Sequence, residues 1–537
     1  MTSKAARLID DATMTRAVSS IVSRSEKQPD IAILERTYVD SGVLPQLENP
    51  NSQILFGRRG TGKSHVLRVL GAVADRHNNC SHVYVDFRLL GSAGMMAGSE
   101  QDLSTRCISV FKDLLALINN HLLDLATDPA WESPGNALEA VDAFGDCITE
   151  LTISIAAKRV ETDRSAGSDD TAHAAVKAGT SGIAAEFGGS SGKHASSRTA
   201  EAFDEVLRNT VVFAGVAQCL DAALEALGIS RLYLLIDEWA SLPQDVQPYV
   251  AEMLKRTMLP STRVTIKIAT LEYRSTFSLP LDNNNQLGFE LGGDVAADLD
   301  LDDYYVHART PTPVEQSFSE LLYKHLDAEL PEGYLRDTYG IRAPDDLRSR
   351  MFTESATFVE LVRAGEGVIR DFLGIFSKAY FRARREGRGK IDVSSVEEAA
   401  REWFETDKSA NLTSDQEAVL QRIVAEVIGS RHARSFLVER TQANHPMIQG
   451  LFDLRVLHLW RRGYSDKERP GVRYDIYTLD YGTYVDLKRT KSMPQLELLE
   501  SEKSSEDLVV PFDDKRSIRR IVLDPTILDA PSDASAR

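Results

Sequence analysis

The sequence predicts an α/β protein: a parallel sheet carrying a phosphate-binding loop, then an α-helical domain, then a small mixed C-terminal domain. Three observations predict it. Residues 54 to 64 read I-L-F-G-R-R-G-T-G-K-S, an apolar strand running straight into G-x-x-x-x-G-K-S. The segment after it, His65 to Val73, places Val66, Leu67, Leu70 and Val73 at helical spacing, so strand, glycine loop and helix follow in the required order. Further on, Leu232 to Ile236 (L-Y-L-L-I) is apolar on both faces, as a central parallel strand is, and ends in Asp237-Glu238.

The chemistry of each element follows from its residue types. In the octet Gly57, Arg58, Arg59, Gly60, Thr61, Gly62, Lys63 and Ser64, the glycines let backbone N–H groups close around phosphates. Lys63 reaches the β- and γ-phosphates and the Ser64 hydroxyl binds Mg²⁺; His65 opens the helix beside them. Asp237, at the carboxyl end of its strand, is placed to hold Mg²⁺ through water. Glu238 is the natural base for an attacking water. An isolated Asp-Glu pair is ordinarily a solvated loop start, and it is the intact loop upstream that turns the reading toward catalysis. A third apolar strand, with Val264, Ile266, Ile268 and Ala269, runs into Thr270, and an earlier one spans His82 to Phe87.

Taken in order, G-R-R-G-T-G-K-S, L-L-I-D-E-W, K-I-A-T and a helical stretch over 315–400 containing G-V-I-R-D-F-L-G-I-F resemble the AAA+ ATPases, in their origin-recognition-complex-like initiator branch. The resemblance implies ATP and Mg as cofactors and hydrolysis of ATP. It implies that Thr270 senses the γ-phosphate, although the family more often has Asn there, and that Arg370 reaches the nucleotide from the lid. It also implies an arginine supplied by a neighbouring subunit, for which Arg274 is the first candidate, ahead of Arg256 and Arg309. A C-terminal winged helix is implied too, and the residues fit one. Gln416 to Ile428 and His445 to Leu454 read as helices, and Ser435 to Val438, Arg455 to Arg461 and Arg473 to Leu479 as strands, with Ser465 to Gly471 as the wing. From Arg431 to Lys491 there are 12 Lys/Arg against 7 Asp/Glu. Arg461, Arg462, Lys467, Arg469 and Arg473, beside Trp460 and Tyr464, form the candidate contact to double-stranded DNA. The alternative for that cluster is a solvated hairpin whose charges keep a sheet edge soluble.

The expected domains are an N-terminal helical segment (1–48), an ATPase core (49–312), a helical lid (313–408), the winged helix (412–525) and a tail (526–537). The core is long for this branch, and the excess is assigned to an insertion at about 115–205, whose later part, Thr162 to Ala202, is rich in Ala, Gly, Ser and Thr. Tyr38 and Val39, ahead of the loop, are candidates for the adenine pocket. The net charge of −18 argues against an all-over nucleic-acid surface. No apolar stretch approaches 18 residues, so no membrane span is expected. The four cysteines, Cys80, Cys107, Cys147 and Cys219, lie far apart with no C-x-x-C pair, which argues against a disulfide framework or a zinc site and fits a cytoplasmic location. The series Asp298, Asp300, Asp302 fails as a calcium loop, having Asp303 at the sixth position and Arg309 at the twelfth. The functional reading is an ATP-driven switch acting on DNA, as a homo-oligomer or with a protein partner. The alternative is a protein-assembly switch working with a separate effector, for example in bacterial antiphage defence.

Overall fold

The computed structural model describes residues 7–91, 103–131, 136–150, 213–281, 285–305, 311–431, 433–465, 471–485 and 521–529. They form two compact units, one of residues 1–43, 56–69 and 300–537, the other of 44–55 and 70–299. The units interleave along the chain, where the sequence suggests consecutive domains. Among the described residues no helix is long and apolar enough to cross a membrane.

A five-stranded sheet organises the second unit. Its strands are β1 (Gln53–Phe56), β2 (Cys80–Asp86), β3 (Arg231–Asp237), β4 (Val264–Thr270) and, after a short hairpin of β5 (Ser278–Pro280) with β6 (Gln286–Gly288), β7 (Ala296–Asp300). The order across the sheet is β2-β3-β4-β1-β7. The apolar runs that predicted β3 and β4 are buried along their length, as strands covered on both faces must be. β3 pairs in parallel with both neighbours, Asp86 opposite Asp237 and Ile236 opposite Ile268. That register delivers Asp86, Asp237 and Thr270 to one carboxyl edge, where open α/β sheets place their chemistry.

The helix Leu103–Thr127 buries Cys107, Phe111, Leu114, Leu115, Ile118 and Leu122 on one face. It therefore runs straight through position 115, where the insertion was expected to begin; residues 151–212 lie outside the described residues. The cysteines form one bond that their spacing does not suggest. Cys147 and Cys219 are bonded, with Cα atoms 7.0 Å apart, while Cys80 and Cys107 take no part in a disulfide. Seventy-two residues separate the pair in sequence. Cys147 lies in one helical stretch and Cys219 in the helix Phe213–Ala226, so it is tertiary packing that pairs them and their sequence spacing holds no trace of it.

β4 holds one residue that its pattern does not explain. Lys267 is fully buried, and its ammonium group donates to the Asn49 and Asn51 carbonyls at 3.1 and 2.8 Å and to Gln53 Oε1 at 2.5 Å. Burial, and secondarily the charge of Arg231, pushes it down to about 7.

The first unit is helical at its centre, with the helices Pro311–Glu329, Ser355–Ala364, Ile369–Arg385 and Val393–Trp403. The N-terminal segment is tied to them by Asp11, which caps the helix Ala12–Ser20 and accepts from the Tyr334 and Tyr339 hydroxyls at 2.6 and 2.5 Å. The C-terminal part contains the helix Ser414–Val424, started by a Thr413/Gln416 capping box, and the helix Pro446–Asp453. Three antiparallel strands complete it: β8 (Ser435–Glu439), β9 (Leu457–Ser465) and β10 (Arg473–Leu479), in the order β8-β10-β9. Leu437, Tyr474 and Ile476 form a dry cluster on this sheet, with Trp460 and Tyr464 packed against it.

Lys267 yields a pH-dependent prediction. Between about 7 and the ordinary lysine value of about 10.4, the unfolded chain carries a proton on this side chain that the folded chain lacks. Stability therefore rises with pH through that window, by up to about 1.4 kcal/mol per pH unit from this group. Urea unfolding from pH 7.5 to 9.5 should show a steeper rise for the wild type than for Lys267→Met; equal slopes would count against a depressed lysine.

Candidate nucleotide-binding site

The glycine loop is fully formed. Gly57, Gly60 and Gly62 have φ of 153°, 85° and 100°, values that residues with a Cβ rarely adopt. At Gly60 space adds a second constraint, since a Cβ would sit 2.8 Å from that of Arg370. Lys63 opens the helix Lys63–Asp75 and folds back, donating to the Gly57 carbonyl at 2.7 Å and the Arg58 carbonyl at 2.9 Å. Thr61 closes the turn by donating its hydroxyl to the Arg58 carbonyl at 2.9 Å. Arg59 is exposed and Ser64 half-buried.

Around the loop, the first unit brings together several expected residues. Arg370 stands at the start of the helix Ile369–Arg385, and its N–H donates to the Gly60 carbonyl at 3.1 Å. Its guanidinium lies 3.9 Å from Glu26. His65 turns toward the N-terminal segment, with its Nε2 2.6 Å from the Leu34 carbonyl and its ring edge-on to Tyr38 at 5.5 Å. Burial holds its imidazole below the ordinary value. Tyr38 thus flanks the loop's first helical turn, the side from which an adenine was expected to be held.

Arg58 is where the geometry goes beyond the motif. Its side chain is buried, and both its main-chain N–H and its Nε donate to Asp302, at 3.0 and 2.9 Å. One terminal nitrogen donates to the Glu366 carbonyl at 3.0 Å, and the other donates to His458 Nδ1 on β9. His458 in turn donates from Nε2 to Asp480 at 2.8 Å. Asp480 also accepts from Lys408, which forms an ion pair with Asp371 at 3.0 Å; Asp371 is ion-paired with Arg455 at 3.0 Å and accepts the Trp403 indole N–H at 3.1 Å. Burial alone would raise the Asp480 carboxyl; Lys408 and the His458 N–H outweigh it and hold it at about 2. Burial and the neighbouring Arg58 hold His458 neutral. Arg58 is therefore committed to protein groups, and Asp302, the last of the failed calcium series, serves to receive it.

In the second unit, the turn after β3 presents a half-buried acid, Glu238. Asp237 accepts the Tyr84 hydroxyl at 2.6 Å and the Glu238 N–H at 2.8 Å. Glu238 sits in the left-handed region at φ 56°, a strain of about 1 kcal/mol or more that recurs at functional sites. Trp239, fully buried, stacks on Phe277 at 5.3 Å and anchors the turn from behind. The Glu238 carboxylate lies 3.6 Å from Arg88, which also grips Asp86 at 2.5 Å. Thr270 is buried, with its hydroxyl 2.5 Å from that of Ser275. Arg274, in the next turn, is exposed, and its carbonyl accepts from the buried Gln247 at 3.0 Å. Arg256 pairs with Glu252 at 2.5 Å; Arg309 lies outside the described residues.

The C-terminal cations divide. Arg461 is exposed, its guanidinium 6.0 Å from the centre of the Tyr464 ring. Arg462 is bound to Asp300 at 2.9 Å, and Arg473 donates to the Gly463 carbonyl at 3.1 Å. Burial, then Asp302, pushes the Asp300 carboxyl up to about 6 despite Arg462. An open cleft of about 460 Å³ is lined by Asp303, Trp460, Arg461 and Arg462. Lys467 and Arg469 lie outside the described residues.

The chain is thus an α/β protein with a glycine loop leading into a helix in one unit and a strand ending in Asp237 in the other. No protein-family model matches the chain, and no curated protein sequence does. Among solved structures it is similar to Cdc6p from Pyrobaculum aerophilum, at 12% identity and a TM-score of 0.31, covering 88% of this chain and 95% of that one. It is also similar to the Aeropyrum pernix ORC1 protein, solved in complex with DNA, at 13% identity, a TM-score of 0.29 and coverages of 88% and 94%. A third likeness is to Drosophila ORC bound to DNA, at 11% identity, a TM-score of 0.27 and coverages of 88% and 97%. At those scores the likeness carries no weight for function.

The buried network also makes a stability prediction. Lys408→Met leaves Asp371 and Asp480 facing each other with one cation fewer, and removing one partner of a buried ion pair costs about 3–5 kcal/mol. Urea denaturation is the measurement, and a loss under about 1 kcal/mol would contradict the assignment.

Proposed function

We propose that this protein is a Mg-dependent AAA+-type ATPase whose nucleotide state drives a conformational switch, and that it acts on DNA through a C-terminal winged helix. The observation that carries the proposal is the preformed glycine loop, with Lys63 folded onto its own carbonyls and poised to exchange them for phosphate oxygens. The loop's N–H groups hold the phosphates, and Lys63 neutralises them. Ser64 and Asp237 offer the hard oxygen donors that Mg²⁺ takes, and the ion, when bound, offsets charge developing on the phosphoryl oxygens. Glu238 accepts the proton of the attacking water at its carboxylate, once that carboxylate has left Arg88. Arg370, whose helix begins against Gly60, carries the change at the loop into the helical region. The exposed Arg274 is offered to a neighbouring copy of the chain.

Steady-state ATP turnover, with and without duplex DNA, tests this. Glu238→Gln should lower kcat by about a hundredfold or more while ATP binding persists, and Lys63→Ala should lose both. Turnover that survives Glu238→Gln would remove that residue from the mechanism.

The second reading, a protein-assembly switch, is favoured by one observation: Arg462 is spent on Asp300, leaving fewer cations on β9 for phosphates. Filter binding to duplex DNA across a salt series separates the two. A DNA-binding face gives a log–log slope of several phosphates, reduced by about one in Arg461→Ala and again in Arg473→Ala. Weak binding with no change of slope in either variant would favour the assembly switch.

A further inference from the structure

Arg58 has an unusual place in the loop. Its carbonyl accepts the Thr61 N–H at 3.4 Å, the Thr61 hydroxyl at 2.9 Å and Lys63 Nζ at 2.9 Å. Its side chain is anchored at three points outside the loop, on Asp302, the Glu366 carbonyl and His458. The first two anchors come from the chain just after β7 and from the turn that starts the helix Ile369–Arg385. The third comes from a strand of the C-terminal sheet, 400 residues along the chain.

The chemistry of that third contact is one-directional. A guanidinium has only donors, so His458 Nδ1 must be unprotonated, which leaves the proton on Nε2 for Asp480. Asp480 is fixed in turn by Lys408 and by the Gly482 N–H at 3.0 Å. The imidazole is thus held in one orientation and one tautomer, and offers a single lone pair to the phosphate loop.

We infer that His458 is a positioning residue of the nucleotide site: by holding Arg58 it sets the conformation of residues 57–63 from the C-terminal sheet. The inference rests on the nucleotide-binding reading above for its consequence, though not for its geometry. Binding at the loop and the placement of the C-terminal sheet are then linked in both directions, because whatever shifts His458 loosens the carbonyl that organises Thr61 and Lys63.

Two substitutions in the full-length chain separate positioning from bulk. His458→Gln keeps an acceptor for Arg58 and a donor for Asp480, whereas His458→Leu keeps the volume and neither bond. Two readouts apply: hydrogen exchange of peptides spanning 57–66, and the affinity for a fluorescent ADP in the presence of Mg²⁺. His458→Leu should raise loop exchange about tenfold and weaken ADP binding at least fivefold, with exchange in β8 and β10 unchanged. His458→Gln should stay within about twofold of the wild type in both. Wild-type loop exchange in His458→Leu, with the C-terminal sheet still protected, would overturn the inference. Should the leucine variant lose the sheet, His458→Phe replaces it, keeping a ring and neither bond. Loop exchange should rise as for leucine, and wild-type loop exchange with the sheet protected would overturn the inference equally. If the wild type binds no ADP while His458→Leu still loosens the loop, the positioning role stands and the nucleotide reading falls.

Discussion

A guanidinium cannot be buried unless nearly all of its N–H groups find acceptors, and the structure around the phosphate loop follows from that constraint. Arg58 is 2% exposed, so Asp302, the Glu366 carbonyl and the His458 ring must converge on it. Each acceptor makes its own demand. Glu366 sits at φ 45° to present its carbonyl, with its side chain held by Arg434 at 2.8 Å. His458 needs Asp480 to fix its tautomer, and Asp480 needs Lys408 to stay ionised in the interior. The network reaches Asp371 and Arg455 before it closes. Buried ion networks of this kind add little net stability over apolar packing. What they impose is a single arrangement, because any shift strands a charge.

The second unit solves a different problem, that of presenting an acid at a sheet edge without letting it collapse onto the nearest cation. Asp237 is restrained by Tyr84 and by the amide of the following residue, so its carboxylate is oriented by groups that cannot neutralise it. Glu238 is held in a left-handed conformation and drawn toward Arg88. The apolar stack of Trp239, Phe87 and Phe277 keeps that turn from relaxing.

Much of this was legible in the sequence, for a reason that differs from element to element. The strands β3 and β4 announced themselves because a strand buried on both faces is mostly apolar; the charged exception, Lys267, is satisfied by Asn49, Asn51 and Gln53, 214 to 218 residues earlier in the chain and in no readable pattern. The glycine loop was legible because its φ values demand glycine at fixed spacing. The strand Arg473–Leu479 also fell where local pattern put it. What stayed hidden was every partner set by tertiary packing. Asp302 looked like part of a failed metal loop, His458 lay unmarked within the strand read over Arg455 to Arg461, and Arg58 looked like a phosphate ligand because it lies inside the motif. Cys147 and Cys219 were missed on the same ground. A single sequence records the needs of local backbone and burial; it does not record which distant side chain meets them.

The most direct measurement of the central claim is a calorimetric titration of Mg-ATP into the full-length protein, alongside Lys63→Ala. One saturable site per chain in the wild type, absent from the variant while its unfolding temperature is unchanged, is the predicted result. No binding heat in the wild type at any of several temperatures, or equal binding in both proteins, would contradict a nucleotide site at the glycine loop.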